Sequence, residues 1–160
     1  MSETAELYDE DYLLWTQEQA KLLREAARHG INLPLDWNNL AEEIESLGRS
    51  DRRELRGRIT TIIEHLLKLE HSPARQPAAG WRETLARTRR DAALLLKESP
   101  SLRREVPSVV DEAFANFAEF TIDELIRLGE LDRKRRQEIL GTPYHAEQVL
   151  GDWYPDEPEA

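Results

Sequence analysis

The sequence contains no cysteine. That absence removes a disulfide frame, a thiolate metal site and a cysteine nucleophile, and it fits a reducing cytoplasm. No apolar run approaches the roughly 20 residues that span a bilayer. The opening residues Met1 to Leu7 are acidic and polar, unlike a secretion signal. The expectation is a soluble, cytoplasmic protein with no membrane partner. Glycine is scarce, and Gly48 and Gly57 have no glycine neighbours at the spacing of a phosphate-cradling loop. No HExxH zinc motif occurs. His65 and His71 are six residues apart, about 120° out of register on one helix, so they do not form a ready ligand pair. No stretch alternates with strand period, and no internal repeat or low-complexity tract is present. No cofactor and no metal are expected.

What the chain has in excess is negative charge: 32 acidic against 22 basic side chains, a net of -10. The excess is uneven. Residues 1–48 carry 11 acidic and 3 basic side chains, residues 49–104 carry 7 and 14, and residues 105–160 carry 14 and 5. An acidic whole argues against nucleic acid as a partner, because that requires a basic footprint. Charge complementarity between neighbouring helices accounts for the basic middle.

The longest coherent pattern lies between Trp37 and Leu69. Leu40, Ile44, Leu47, Asp51, Leu55, Ile59, Ile62, Leu66 and Leu69 recur at steps of three and four, the amphipathic helical template. The phase survives Gly48. Two helices joined by a loop have no reason to share a phase, so one long helix is expected. A stop at Gly48 and a restart at Ser50 is the alternative. In a continuous helix Gly48 costs about 1 kcal/mol relative to alanine, so Gly48→Ala is expected to be neutral or stabilising. Asp36 is the natural N-cap.

The same stretch carries a resemblance. Leu35-Asp36-Trp37-x-Asn39-Leu40-x-Glu42-Glu43-Ile44-Glu45-Ser46-Leu47-Gly48-Arg49-Ser50 resembles the signature of a bacterial family catalogued as domain of unknown function number twenty-nine. Tyr8-Asp9-x-Asp11-Tyr12-x-x-Trp15, His65-Leu66-Leu67-Lys68 and Glu147-Gln148-Val149-Leu150 resemble its other blocks. The segment Arg133 to Arg136 looks longer and more basic than the family's loop there. The resemblance implies an all-helical fold and no established activity.

Other helices follow from period and punctuation. The first is expected from about Asp9 to Arg28, burying Tyr12, Trp15, Gln19, Leu22, Leu23 and Ala26, with Gly30 as its stop. His71 to Gly80 reads as a loop punctuated by Pro73 and Pro77. A helix from Trp81 to Glu98 keeps the period through Leu85, Thr88, Ala92 and Leu95. Ser99-Pro100 reads as a cap and first turn. A further helix runs to about Leu128, through Val110, Ala113, Phe114, Phe117, Thr121 and Leu125, and stops at Gly129. Asp132 to Leu140 and Thr142 to Leu150 are short helices. Trp153 and Tyr154 form an aromatic clip. The expected fold is all-α, a four-helix up-down bundle-like single domain over residues 1–155 with a small C-terminal helical appendage and a disordered acidic tail over residues 156–160.

No residue set declares a chemistry. The four tryptophans, Trp15, Trp37, Trp81 and Trp153, read as core packing rather than a base-stacking surface. Arg49, Arg52, Arg53 and Arg56 point away from the apolar stripe and, with Arg87, Arg89 and Arg90, form either a solvated face or a contact for an anionic partner. Asp51 occupies an apolar-stripe position, where an ionised carboxylate needs a partner. Glu43, Glu54, Arg58 and His65 flank it, with Glu54 and Arg58 spaced as an ion pair. Asp51 and His65 lie about 21 Å apart along one helix, so they do not meet on it. These residues are either a structural polar seam or a carboxylate–histidine site able to hold a divalent metal, built from facing helices. The leading reading is a small cytoplasmic interaction protein that binds an unidentified protein or a second copy of itself. A metal-assisted or acid–base hydrolase using Glu43, Asp51, Glu54 and His65 is the first alternative. A module for an anionic partner is the second.

Overall fold

In a computed structural model, which describes residues 3–156 and 158, the chain folds into helices joined by short connections. They are α1 (Glu3–Glu10), α2 (Tyr12–Arg28), α3 (Trp37–His71), α4 (Arg75–Glu98), a 3-10 helix (Pro100–Glu105), α5 (Val106–Arg127), a 3-10 turn (Arg133–Arg135), α6 (Arg136–Leu140) and α7 (Ala146–Leu150). No strand occurs among the described residues, which bears out the all-α class. The chain divides into two compact units, Met1–Leu55 with Leu94–Arg104, and Arg56–Ala93 with Glu105–Ala160. The division falls inside α3 and inside α4.

In the first unit, α1 and α2 replace the single helix expected from Asp9. Asp11 interrupts it with an extended backbone, φ -153° and ψ 93°. Its buried carboxylate accepts from the Leu14 amide at 3.0 Å, capping α2, and from the Ser101 amide at 2.8 Å and hydroxyl at 2.9 Å. An aspartate that satisfies three donors outweighs one more helical hydrogen bond. The buried face of α2 is also rotated from expectation. Leu13, Thr16 and Ala20 are buried, whereas Leu22 is exposed. Opposite them α3 presents Ala41 and Gly48, both buried, and turns Leu40 and Leu47 to solvent. Small residues face the partner here because the two helices approach closely. α2 ends as expected at Gly30, φ +62°, whose amide bonds Ala27 O at 3.3 Å. The Asp36 cap is present, with Asn39 donating to it from backbone and side chain.

In the second unit the apolar stripe behaves as expected. Leu55 closes the first unit; beyond it Ile59, Ile62, Leu66 and Leu69 are buried, joined by Ile63 and Leu67. α4 begins at Arg75, not Trp81, leaving only residues 72–74 as connection. Pro77 lies in its first turn, where the missing amide proton would have had no partner. α5 buries Val106, Val110, Ala113, Phe114, Ala118, Thr121, Ile122 and Leu125 and ends at Gly129, φ +76°. Phe117 and Leu128, expected on its inner face, are exposed. The expected helix from Thr142 begins only at Ala146, with His145 as its N-cap. All four tryptophans are half-buried rather than buried. Of the expected acidic tail, Asp156 and Pro158 carry no regular secondary structure, and residues 157, 159 and 160 lie outside the described residues.

α3 is continuous through Gly48, but the consequence drawn from propensity reverses. A Cβ on Gly48 would lie 2.8 Å from Leu13 Cδ1 and 2.8 Å from Thr16 Oγ1. Both side chains are buried, and the Thr16 hydroxyl is committed to Leu13 O at 2.7 Å. Gly48→Ala therefore destabilises, by about 1–3 kcal/mol, the usual range for overpacking. Denaturant unfolding measures this, and parent-like stability would show that α2 can retreat without cost.

Candidate functional site

The residues singled out by sequence do not assemble into one site. Asp51 is half-buried and accepts from the Ser99 hydroxyl at 3.1 Å. Ser99 itself is fully buried and takes the Leu13 amide at 3.1 Å, so its hydroxyl ties three segments of the first unit together. Burial pushes the Asp51 carboxyl up, the Ser99 hydrogen bond pulls against this, and Glu54 and Glu98 push it further up. Asp51 also lines an open depression with Tyr8, Asp9, Tyr12 and Glu98. In the second unit His65 engages Thr61 O, on its own helix, through Nδ1 at 2.8 Å. Arg58 pairs with Asp91 at 3.2 Å. Glu43 and Glu54 are exposed. Among the described residues no group of three histidine, aspartate or glutamate side chains is placed to hold a metal ion.

One member of the arginine face, Arg49, is engaged by carboxylates of its own helix. Arg49 bonds Glu42 at 2.7 Å and approaches Glu45 at 3.8 Å, and Arg24 bonds Glu45 at 2.7 Å. Arg53 and Arg56 are exposed and Arg52 half-buried. Exposed pairs of this kind contribute little stability. Arg89 departs from the expected face. It is half-buried, and its guanidinium donates to the carbonyls of Val149 at 2.8 Å, Gln148 at 2.6 Å and Trp153 at 2.7 Å. Tyr154 stacks over it at 5.1 Å. The aromatic clip is thus held by a cation.

Two features were not anticipated. The first is apolar surface at the turn between α2 and α3. Ile31, Leu33 and Leu35 are 47%, 56% and 48% exposed, and Leu22 on α2 and Leu40 on α3 are exposed as well. The connection is ordered by backbone bonds from Leu33 N to Ile31 O and from Leu35 N to Leu33 O, at 2.9 and 2.8 Å. Pro34 bars helix at this connection, and period alone does not mark its apolar side chains as exposed.

The second is a cavity of about 230 Å³ in the second unit. Its wall includes Glu70 and His71 at the end of α3, Arg135 and Glu138 beside and on α6, and Tyr144 and His145 before α7. Tyr144 donates its hydroxyl proton to Glu70 Oε2. His71 Nε2 lies 3.6 Å from the same oxygen, and His71 Nδ1 is buried without a hydrogen-bond partner. Burial pushes the His71 pKa down; Glu70 opposes this, Arg135 reinforces it and Glu138 opposes it. Burial and the Glu70 contact hold the Tyr144 proton in place far above the usual phenol range. The only sequence signal was the adjacency of Glu70 and His71. Tyr144 lies 74 positions away, a distance that periodicity does not bridge.

The family model described as "Domain of unknown function DUF29" matches residues 7–154. The crystal structure of an alpha-helical protein of unknown function from Rhodospirillum rubrum is similar, with TM-score 0.72 and 24% identity, over 91% of this chain and 89% of that one. At that identity the likeness shows the fold. No curated protein matches the chain. No helix among the described residues is long and apolar enough to cross a membrane.

Two pH effects follow from the geometry. Asp51 ionises in the folded state at a higher pH than its ordinary 3.8, so the folded protein holds that proton longer. Stability from this group falls as pH rises from 3.8 through the raised value. Asp51→Asn should match or exceed the parent in melting temperature at pH 7, with the difference vanishing below the ordinary value. His71 has the opposite sense. Its folded pKa lies below 6.5, so its contribution is complete above 6.5 and is lost as pH falls through the folded value. His71→Gln should flatten the acid limb of the stability profile, and an unchanged limb would show that the ring titrates alike in the folded and unfolded chain.

Proposed function

We propose that this protein, which belongs to the DUF29 family, is an interaction protein whose docking surface is the turn between α2 and α3. The observation that supports the reading is the exposure of Ile31, Leu33 and Leu35 together on one turn, with Leu22 on α2 and Leu40 on α3 exposed as well. Isolated exposed leucines are ordinary, but several close in sequence on an ordered turn are the usual mark of a protein contact. The carboxylates and guanidinia of Arg24, Glu42, Glu45 and Arg49 give this region a charged rim, as contact surfaces generally have. A cytoplasmic location suits a chain without cysteine. The hydrolase alternative finds less support, because Asp51 is tied to Ser99 and His65 to its own helix.

The test is elution mass and partner capture with the parent and with Leu33→Glu/Leu35→Glu. Both side chains are exposed, so the double variant should keep parent-like stability. A parent mass above that of the 18.6 kDa monomer, reverting to monomer in the variant, makes a second copy the partner. A monomeric parent that retains one defined protein, lost in the variant, makes the partner another chain. Identical behaviour of parent and variant in both measurements overturns the proposal.

A further inference from the structure

Phe120 is 73% exposed, the most exposed large apolar side chain among the described residues. Phe117, one turn before it on α5, is 42% exposed. Leu128, at the C-cap of α5 about three turns beyond Phe117, is 54% exposed. At about 100° per residue these three fall within roughly 80° of one another around the helix. α5 buries Phe114, Ala118, Ile122 and Leu125 along an adjacent strip, so its core is filled without Phe120. Beside the exposed stripe lies a depression of about 350 Å³ between α3 and α5, within the second unit. Ile63 and Thr121, both buried, form its floor, and Phe117 and Phe120 form its α5 wall. On the α3 side the Thr60 hydroxyl is already spent on Arg56 O at 2.8 Å. The charged residues that line the depression, Glu64 and Glu124, are both acidic.

We propose that this face, independently of the α2–α3 turn, docks a basic amphipathic helix of another protein. The stripe from Phe117 to Leu128 is about 16 Å long at 1.5 Å per residue, the length of two to three turns of a partner helix laid along it. Apolar side chains at helical spacing on such a partner cover the phenylalanines and enter the depression, the helix-in-groove mode. Charge selects the kind of helix. α5 exposes Asp111, Glu112, Glu119, Asp123 and Glu124 against Arg127 alone. Arg136 takes Glu119 and Asp123, and the adjoining face of α3 carries Arg56 and Lys68 against Glu64. Six carboxylates against four cations leave the face acidic. Glu64 is paired with Lys68 at 2.6 Å and Glu124 with Arg127 at 3.4 Å. Exposed pairs of this kind are weak, so basic side chains along the edges of the partner can share both carboxylates. A second copy of the chain, itself at a net charge of -10, approaches against repulsion. An anionic lipid surface meets the same acidic barrier.

The experiment titrates the full chain, at pH 7.5 and physiological salt, into a fluorescent fourteen-residue peptide of lysine, leucine and alanine. Its leucines recur at every third and fourth position, so that it forms a basic amphipathic helix. Anisotropy reads the affinity, and amide NMR reads which residues of α3 and α5 respond. Two further peptides serve as controls, one with the leucines dispersed around the helix and one with glutamate in place of lysine. The amphipathic basic peptide should bind saturably and shift the amides around Phe117, Phe120 and Glu64, and both controls should bind far more weakly. Phe120→Ser, at a position too exposed to threaten folding, should weaken binding about tenfold, as loss of an aromatic anchor does. Glu124→Lys should weaken it as well. Leu33→Glu/Leu35→Glu should leave it unchanged, which keeps this test separate from that of the α2–α3 turn. Absence of saturable binding, equal binding of either control peptide, or indifference to Phe120→Ser would overturn the proposal. So would a parent dimer that Phe120→Ser converts to monomer, which makes a second copy the occupant. Binding of the parent to phosphatidylglycerol vesicles that is lost in Phe120→Ser would overturn it in favour of a lipid surface.

Discussion

A guanidinium withdrawn from water organises the C-terminal third of this protein. Arg89 leaves α4 with its charge half-buried and spends its Nε and Nη2 donors on three backbone carbonyls of the segment 148–153, while its Nη1 is buried without a partner. Burying a cation is costly unless its donors are used, and here the acceptors are the carbonyls at the end of α7 and beyond it. The five-residue α7 is too short to be stable alone. It stands because a cation collects the carbonyls at its end that no further helical turn would satisfy. Gln148 and His145, which belong to the same segment, thereby reach the wall of the cavity.

The first unit relies on a different economy. Its helices approach through the absence of a side chain, with Gly48 against Leu13 and Thr16, and its polar groups are shared. The Ser99 hydroxyl serves both the Leu13 amide and Asp51, and the Asp11 carboxylate serves both α2 and Ser101. In such a seam each group satisfies two neighbours, so loss of one leaves two buried groups unpaired. The Asp51 hydrogen bond lies along this seam.

The long helix was legible in the sequence because one phase of period 3.6 runs from Leu40 to Leu69, and no loop would preserve it. Gly30 and Gly129 were legible as stops because only a positive φ closes those turns, and both adopt one. What was misread has particular causes. Pro77 was taken as a breaker although the first turn of a helix tolerates proline. Asp11 lay inside the helix expected from Asp9, although it terminates one helix and caps the next. The stripe gave Leu40 and Leu47 as core, yet close approach at Gly48 rotated the buried face onto Ala41 and Gly48. The site was the least legible part. Glu70 and His71 gain meaning only when Tyr144 and Arg135 arrive, and those contacts are tertiary. His71 was judged against His65 on a single helix, where spacing rightly excluded a pair, while its actual partners lay elsewhere.

The reach of Arg89 has a consequence for the order of events during synthesis. Its three acceptors lie 59, 60 and 64 positions further along the chain. While the ribosome is still adding those residues, α3 and α4 already exist with their apolar faces, but the cation has nothing to bond and stays in water. The last wall of the cavity closes only when the segment carrying Tyr144, Gln148 and Trp153 emerges and the guanidinium leaves solvent to meet it. A nascent chain can thus possess most of its hydrophobic core and still lack this cavity, which closes as nearly the final act of folding.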